Sequence, residues 1–205
     1  MNNTVGQTAD RHARLAKQMG RGALIALLLM IAIGLSSSAL ANEAARAYFG
    51  DAVLIDQDGQ KQRFYTDLLH DKVVLIHPFF TRCEGVCPVM AAHLAEIQKW
   101  LGDRLGSEVH LLSMSVDPGR DSVSELRQYS QRFKARQGWY LLTGESDQLD
   151  HALGRLGYQV EQPEQHTSVM VIGNVATGYW KKAHGAASAS ELIEILQSVM
   201  EDAGP

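Results

Sequence analysis

An apolar run, a cysteine-bearing loop and an amphipathic helical pattern follow one another over residues 73–101. This junction constrains the fold more than any other stretch of the chain. Val73-Val74-Leu75-Ile76 reads as a buried strand, and Met90, Leu94, Ile97 and Leu101 recur at i, i+4, i+7 and i+11, the spacing of a helix that buries one face. Between them lies Thr81-Arg82-Cys83-Glu84-Gly85-Val86-Cys87-Pro88, with the only two cysteines of the chain. Pro88 suits the first helical position, where a missing N–H costs nothing. The spacing therefore predicts Cys87 beside the helix N-cap and Cys83 in the loop. Free N–H groups and partial positive charge at a helix start stabilise a thiolate, which predicts a pKa below the usual value of about 8.5. The C-x-x-x-C spacing lets both sulfurs share one ion or join in one disulfide. A purely structural bridge closing so short a loop would remove little unfolded-state entropy.

The remaining chain supplies the elements around this junction. Val53-Leu54-Ile55 before Asp56-Gln57-Asp58-Gly59-Gln60 predicts a short hairpin turning at Asp-Gly. Val109 to Val116 reads as a second core strand, ended by Asp117-Pro118-Gly119. Ser122-Val123-Ser124-Glu125 is a capping-box pattern opening a helix with Val123, Leu126, Tyr129 and Phe133 inward. Trp139 to Leu142 is a short strand, and Ser146 to Leu156 a helix stopped by Gly157. Ser168 to Gly173 and Tyr179 to Lys182 flank a turn, and the capping box Ser188 to Glu191 opens a last helix. The order is hairpin, β, α, β, α, β, α, β, β, α. It predicts an α/β domain over residues 51–202, with a mixed central sheet and helices on both faces. A cysteine pair at the carboxyl end of the first core strand sits where open α/β sheets bind ligands, and this is the thioredoxin-like arrangement.

Composition bears on the ends and on partners. Residues 1–21 carry Arg11, Arg14, Lys17 and Arg21 against Asp10, and Gly22 to Leu35 is uncharged and rich in Leu, Ile and Ala. Ala39-Leu40-Ala41 is a small-residue cleavage pattern. Residues 1–41 read as an export signal cut after Ala41 or as a membrane anchor, because 22–41 is about long enough to span. Both readings put the rest outside the cytoplasm, periplasmic and either secreted or held at the inner membrane. Residues 42–50 read as a linker. The formal charge of −4 leaves no basic footprint for nucleic acid. In an oxidising compartment two cysteines suit a redox or metal-binding pair.

Two thiolates rarely complete a metal site, so a third ligand must come from elsewhere. His12 falls in the leader, and His70, His93, His110, His151 and His184 lie on expected helix faces, strand ends or loops where a solvated or hydrogen-bonded ring is the common case. His77 sits in the central strand, six residues before Cys83, either near the site or as a hydrogen-bonded core histidine. His166 follows a polar loop and precedes the strand at Ser168; in a thioredoxin-like topology that loop lies beside the start of the first helix. Cys83, Cys87 and His166 are therefore the candidate metal ligands. Two sulfurs and an imidazole suit copper or zinc. A structural zinc site usually wants a fourth protein ligand, which favours copper, although spacing alone does not settle the ion.

At these residues the chain resembles the Sco/SenC copper-chaperone proteins of respiratory membranes. The matching pieces are Asp56-Gln57-Asp58-Gly59, Thr81-x-Cys83-x-x-x-Cys87-Pro88, Ser115-Val116-Asp117-Pro118-x-x-Asp121, Leu142-Thr143-Gly144, and His166-Thr167 before a strand. The resemblance implies a thioredoxin-like fold that binds copper through Cys83, Cys87 and His166. It implies delivery of copper to the binuclear site of cytochrome c oxidase, or reduction of the cysteines that form it, with other periplasmic copper carriers as further partners and membrane association through residues 22–41. Asp117 and Asp121 match the family's Asp-Pro motif; read from the residues alone, Asp117 forms a turn and Asp121 caps a helix. Glu84 replaces a proline common in the family and Pro78-Phe79-Phe80 replaces Phe-Gly-Tyr. Glu84 adds a negative charge that would raise a thiolate pKa and favour a bound cation.

Three functions use these residues differently. A copper-binding assembly factor, which is not a turnover enzyme, needs all three. A thiol–disulfide oxidoreductase needs Cys83 and Cys87, catalytic and able to form a disulfide with Cys83 as nucleophile, and does not need His166. A structural module needs only a fixed bridge. A peroxidase lacks an activating arginine apart from Arg82.

Overall fold

A computed structural model describes residues 42–204, apart from residues 159 and 161. The leader at 1–41 lies outside the described residues. Seven strands form one sheet in the order β2-β1-β5-β4-β3-β6-β7. The centre is parallel: β3 (Val73–Phe79), β4 (Val109–Ser115) and β5 (Trp139–Thr143) run side by side. Every residue of β3 and β4 is buried, as expected of parallel strands covered on both faces. Antiparallel strands complete the sheet: β1 (Val53–Asp56) and β2 (Lys61–Arg63) on one side, β6 (Val169–Asn174) and β7 (Tyr179–His184) on the other. From residue 51 on, the expected element order holds.

Side-chain alternation along β3 divides the interior into two layers. Val73, Leu75 and Phe79 pack with α2 (Cys87–Leu101), α3 (Val123–Arg132) and α5 (Ala189–Met200). Val74 and Ile76 point the other way, toward Phe64 and Leu68 of a π-helical turn (Phe64–Leu69) and Leu149 and Leu153 of α4 (Ser146–Leu156). Met90, Leu94, Ile97 and Leu101 are all buried, as their spacing requires. Gly157 closes α4 at φ +76°, a left-handed conformation that costs glycine little.

Residues 42–49, read from the sequence as part of a linker, form a helix, α1. Phe49 is buried and its ring lies 5.5 Å from that of Trp180 and 6.3 Å from that of Phe64. The stretch Glu43-Ala44-Ala45-Arg46-Ala47 is made of good helix formers. One aromatic anchor then fixes the helix to the domain, and so short a segment leaves too little periodicity to read.

The register explains an opening beside β3. Strand β4 pairs with β3 through Phe79, whereas β6 pairs only from Val73 to Ile76. The Val73 N–H and the Phe79 carbonyl face the β4 side, so alternation turns Pro78 toward the side that β6 has already left. The N–H that Pro78 lacks has no ladder partner to lose. On this side the Tyr158 hydroxyl donates to the Ile76 carbonyl (3.1 Å).

Candidate metal centre

The cysteine loop is held from outside by a buried carboxylate. Asp121, 1% exposed, accepts hydrogen bonds from the Thr81 N–H (3.0 Å), the Thr81 hydroxyl (2.6 Å) and the Ser115 hydroxyl (2.6 Å). It ties the end of β3 to the end of β4. Burial pushes its pKa up, against the three donors that favour the charged form. The sequence reading of Asp121 as a helix cap is corrected: Ser122 caps α3, in a capping box with Glu125. A side chain one residue before a cap looks the same in sequence, and only the approach of Thr81 across the sheet separates the two roles. Asp117 does form the expected turn, its carbonyl accepting from the N–H groups of Arg120 and Asp121.

The loop then turns, with the Cys83 N–H donating to the Phe80 carbonyl (3.2 Å), and α2 starts at Cys87 with Val86 as its uncapped N-cap. Cys87 is fully buried while Cys83 is partly exposed, and both are free thiols. The expectation of a lowered Cys87 pKa is overturned. Burial pushes the thiol up, and the adjacent Cys83 sulfur adds to it; backbone N–H groups of Phe80 and of Cys87 itself act the other way and lose. The helix-terminus effect is worth about 1 kcal/mol, too little to offset removal of a sulfur from water. Glu84 is exposed and is not among the causes of that rise.

His166 reaches the sulfurs from 79 residues away, its Nε2 standing 3.4 Å from the Cys87 Sγ. The short 3-10 turn Pro163–Gln165 delivers it just before β6. Its Nδ1 lies 2.9 Å from the Thr167 carbonyl, which only accepts, so Nδ1 carries the proton and the Nε2 lone pair faces the sulfurs. The ring of Phe80 meets the imidazole edge-on, centroids 5.6 Å apart. Ligand atoms of Cys83, Cys87 and His166 all lie within 4.8 Å of one another. Among the described residues no other group of three histidines, cysteines or acids gathers in this way. Two soft sulfurs and an imidazole are a donor set for copper or zinc.

The other histidines do not join. His77 is buried below the site; its Nδ1 lies 3.2 Å from the Pro78 carbonyl, which only accepts, so its Nε2 accepts from the Ser113 hydroxyl (2.7 Å), whose oxygen accepts in turn from the Trp139 indole N–H (3.0 Å). Burial lowers its pKa to about 4, so the ring is neutral. His110 bonds backbone carbonyls of Leu68 and Gly106, His184 meets Ser168, and His70 pairs with Asp71. Arg82 pairs with Glu125 at 3.2 Å, which leaves it engaged away from the sulfurs. Tyr129 is more than core: its hydroxyl is buried without a hydrogen-bond partner among the described residues, and burial first, then the sulfurs of Cys87 and Cys83, push its pKa up. Its helical spacing marks it as apolar core, and nothing in sequence distinguishes the two.

The family model described as SCO1/SenC matches residues 41–201. The SCO1 protein homolog of Bacillus subtilis (strain 168) is 31% identical over 118 residues, 56% of this chain and 60% of that relative. The match thus spans less than two thirds of that relative's length. The structure of a SCO1/SenC family lipoprotein from Bacillus anthracis str. Ames superposes with a TM-score of 0.61 at 26% identity, covering 73% of this chain and 92% of that one. Arabidopsis thaliana ScoI, solved with copper bound, superposes with a TM-score of 0.63 at 21% identity over 76% of this chain and 99% of its own, a likeness of fold. The mixed sheet flanked by helices is the thioredoxin-like fold of these proteins.

Proposed function

The chain belongs to the SCO1/SenC family, and from that premise we propose that it carries copper, held by the sulfurs of Cys83 and Cys87 and by Nε2 of His166. The observation that carries this reading is the convergence of these three donors within 4.8 Å on an otherwise apolar floor. Copper is the cargo. Thiolate softness and a three-donor set favour it over zinc, which wants a fourth ligand when held structurally. Binding displaces the proton that burial keeps on Cys87, so affinity falls as pH falls. Cys87 and His166 form the inner wall, and the partly exposed Cys83 is the donor that a recipient's ligand reaches first.

The recipient we propose is the subunit of cytochrome c oxidase that carries the binuclear copper site, with the domain working in the periplasm. Family membership supports this assembly role. A second reading rests on the asymmetry of the pair. An exposed Cys83 beside a buried Cys87 suits attack on a partner's disulfide by Cys83, and resolution by Cys87 with the pair left oxidised as a disulfide and the partner's two thiols reduced.

Titration of the reduced protein with copper, followed in the thiolate charge-transfer region, tests the ligand set. His166→Ala should weaken copper binding at least tenfold and leave disulfide exchange intact. Unchanged affinity in that variant defeats the three-ligand site; loss of exchange in the same variant defeats the redox reading as stated.

A further inference from the structure

A groove of about 700 Å³ lies along β6 and β7, from the turn that joins them, at the end of the sheet opposite the sulfurs, to the middle of the sheet. Phe49 and Tyr48 of α1, Val171 of β6, Val175 just after it, and Trp180 of β7 give it an apolar and aromatic lining. Gly173 lets the Trp180 ring lie flat on the sheet, since a Cβ there would collide with the indole. Arg155 and Lys182 stand at the groove, the Arg155 guanidinium 5.5 Å from the centroid of the Tyr48 ring, and among the described residues no acidic side chain lines it. Aromatic rings with a polar edge, flanked by cations without acids, match the region where headgroups meet acyl chains.

Two backbone links place the groove. The Val175 N–H donates to the Lys72 carbonyl, directly before the start of β3. The Tyr65 hydroxyl donates to the carbonyl of Asn42, and the Asn42 side-chain amide lies 3.4 Å from the His70 ring, again just before β3. The chain thus enters the domain at the same end as the groove. The residue before it closes the uncharged stretch 22–41. The sulfurs lie beyond the other end of β3, whereas the groove reaches up only to Val171 and Lys182, in register with Ile76 midway along that strand.

We propose that this groove and its two cations form a membrane-contact surface for anionic phospholipid. The lipid's phosphate meets Arg155 and Lys182, and its glycerol and upper acyl region meet Tyr48, Phe49 and Trp180. A domain tethered by residues 22–41 then rests on the bilayer by its groove end and presents Cys83, Cys87 and His166 away from the lipid. This surface is independent of what the sulfurs bind.

The full chain, with residues 1–41 retained, is reconstituted in vesicles of phosphatidylcholine alone or mixed with phosphatidylglycerol, each carrying lipid spin-labelled near the headgroup. Tryptophan quenching is compared for the parent and Trp180→Phe, since Trp139 is buried and Trp100 lies on α2 in the other layer. With phosphatidylglycerol the parent should be quenched at least twice as strongly as Trp180→Phe. Lys182→Glu combined with Arg155→Gln should bring the quenching down to the Trp180→Phe level and leave copper titration unchanged. Equal quenching of the parent and Trp180→Phe overturns the proposal, and so does quenching indifferent to phosphatidylglycerol. A groove that docks a soluble protein instead gives the first of these overturning results.

Discussion

At the start of α3, Ser122 accepts from the Glu125 N–H while the Glu125 carboxylate takes the Ser122 N–H, and Ser188 and Glu191 repeat this at α5. At the start of α2 there is no side-chain cap and no acid in the first turn, and the first helical residue is a buried cysteine. The three helices cover the same face of the sheet. The difference lies in what each does with its unpaired N–H groups. Two satisfy them locally, which stabilises the fold by about 1 kcal/mol per cap. The third leaves them near a sulfur that burial keeps protonated. Stability there comes from Met90, Leu94, Ile97 and Leu101 underneath, which frees the helix start for chemistry.

That contrast can be broken by experiment. The largest effect belongs to Cys87→Ala, which should lower copper affinity by well over the ~100-fold that outer-shell changes reach. Circular dichroism and denaturant midpoint should stay close to the parent; collapse of the fold would show that the start of α2 is structural after all. Beneath it, His77 sets a pH limit. Its pKa falls from 6.5 to about 4 on folding, so the unfolded chain binds the proton first as pH drops. This contribution is fully present above about pH 6.5 and is lost as pH falls toward 4, in total roughly 3 kcal/mol. Urea unfolding at pH 7.5 and 4.5 should show the loss, and His77→Gln should flatten it. Asp121 titrates with the opposite sign: its raised pKa makes protonation favour the fold, so it partly offsets the loss.

Asp121→Asn sharpens the comparison further, because it changes the clamp on Thr81 without touching a ligand. It exchanges one acceptor for a donor that faces Thr81 and Ser115. Copper affinity should fall about tenfold, as for other residues behind a ligand, and stability by about 1–3 kcal/mol. Unaltered affinity would mean that the clamp does not position Cys83. The smallest effects are expected at the capped starts. Ser122→Ala and Ser188→Ala should each cost about 1 kcal/mol in thermal or urea unfolding and leave copper titration unmoved. A copper defect in Ser188→Ala would erase the distinction between the two kinds of helix start.

The residues differ in how openly they announce themselves. The α2 stripe, both capping boxes, the Asp58-Gly59 turn and the Gly157 stop depend on neighbours within a few positions, and each is present where its pattern lies. The pair Cys83 and Cys87 is legible for the same reason. His166 is legible only through the topology, as the residue before the strand that passes the cysteine loop. Asp121, Tyr129 and α1 were hidden. Asp121 looks like a cap, Tyr129 looks like core, and one aromatic anchor in α1 leaves no periodic trace.

Local periodicity and turn chemistry in the amino-acid order were enough to determine the elements, their succession and the sulfur pair at a helix start, because those interactions span only a few residues. The protonation of Cys87, the Asp121 clamp and the meeting of His166 with the sulfurs were decided by tertiary structure. Burial and long-range contact set them, and both join residues far apart in the chain: the His166 imidazole meets the Cys87 sulfur across 79 residues, and Asp121 meets Thr81 across 40.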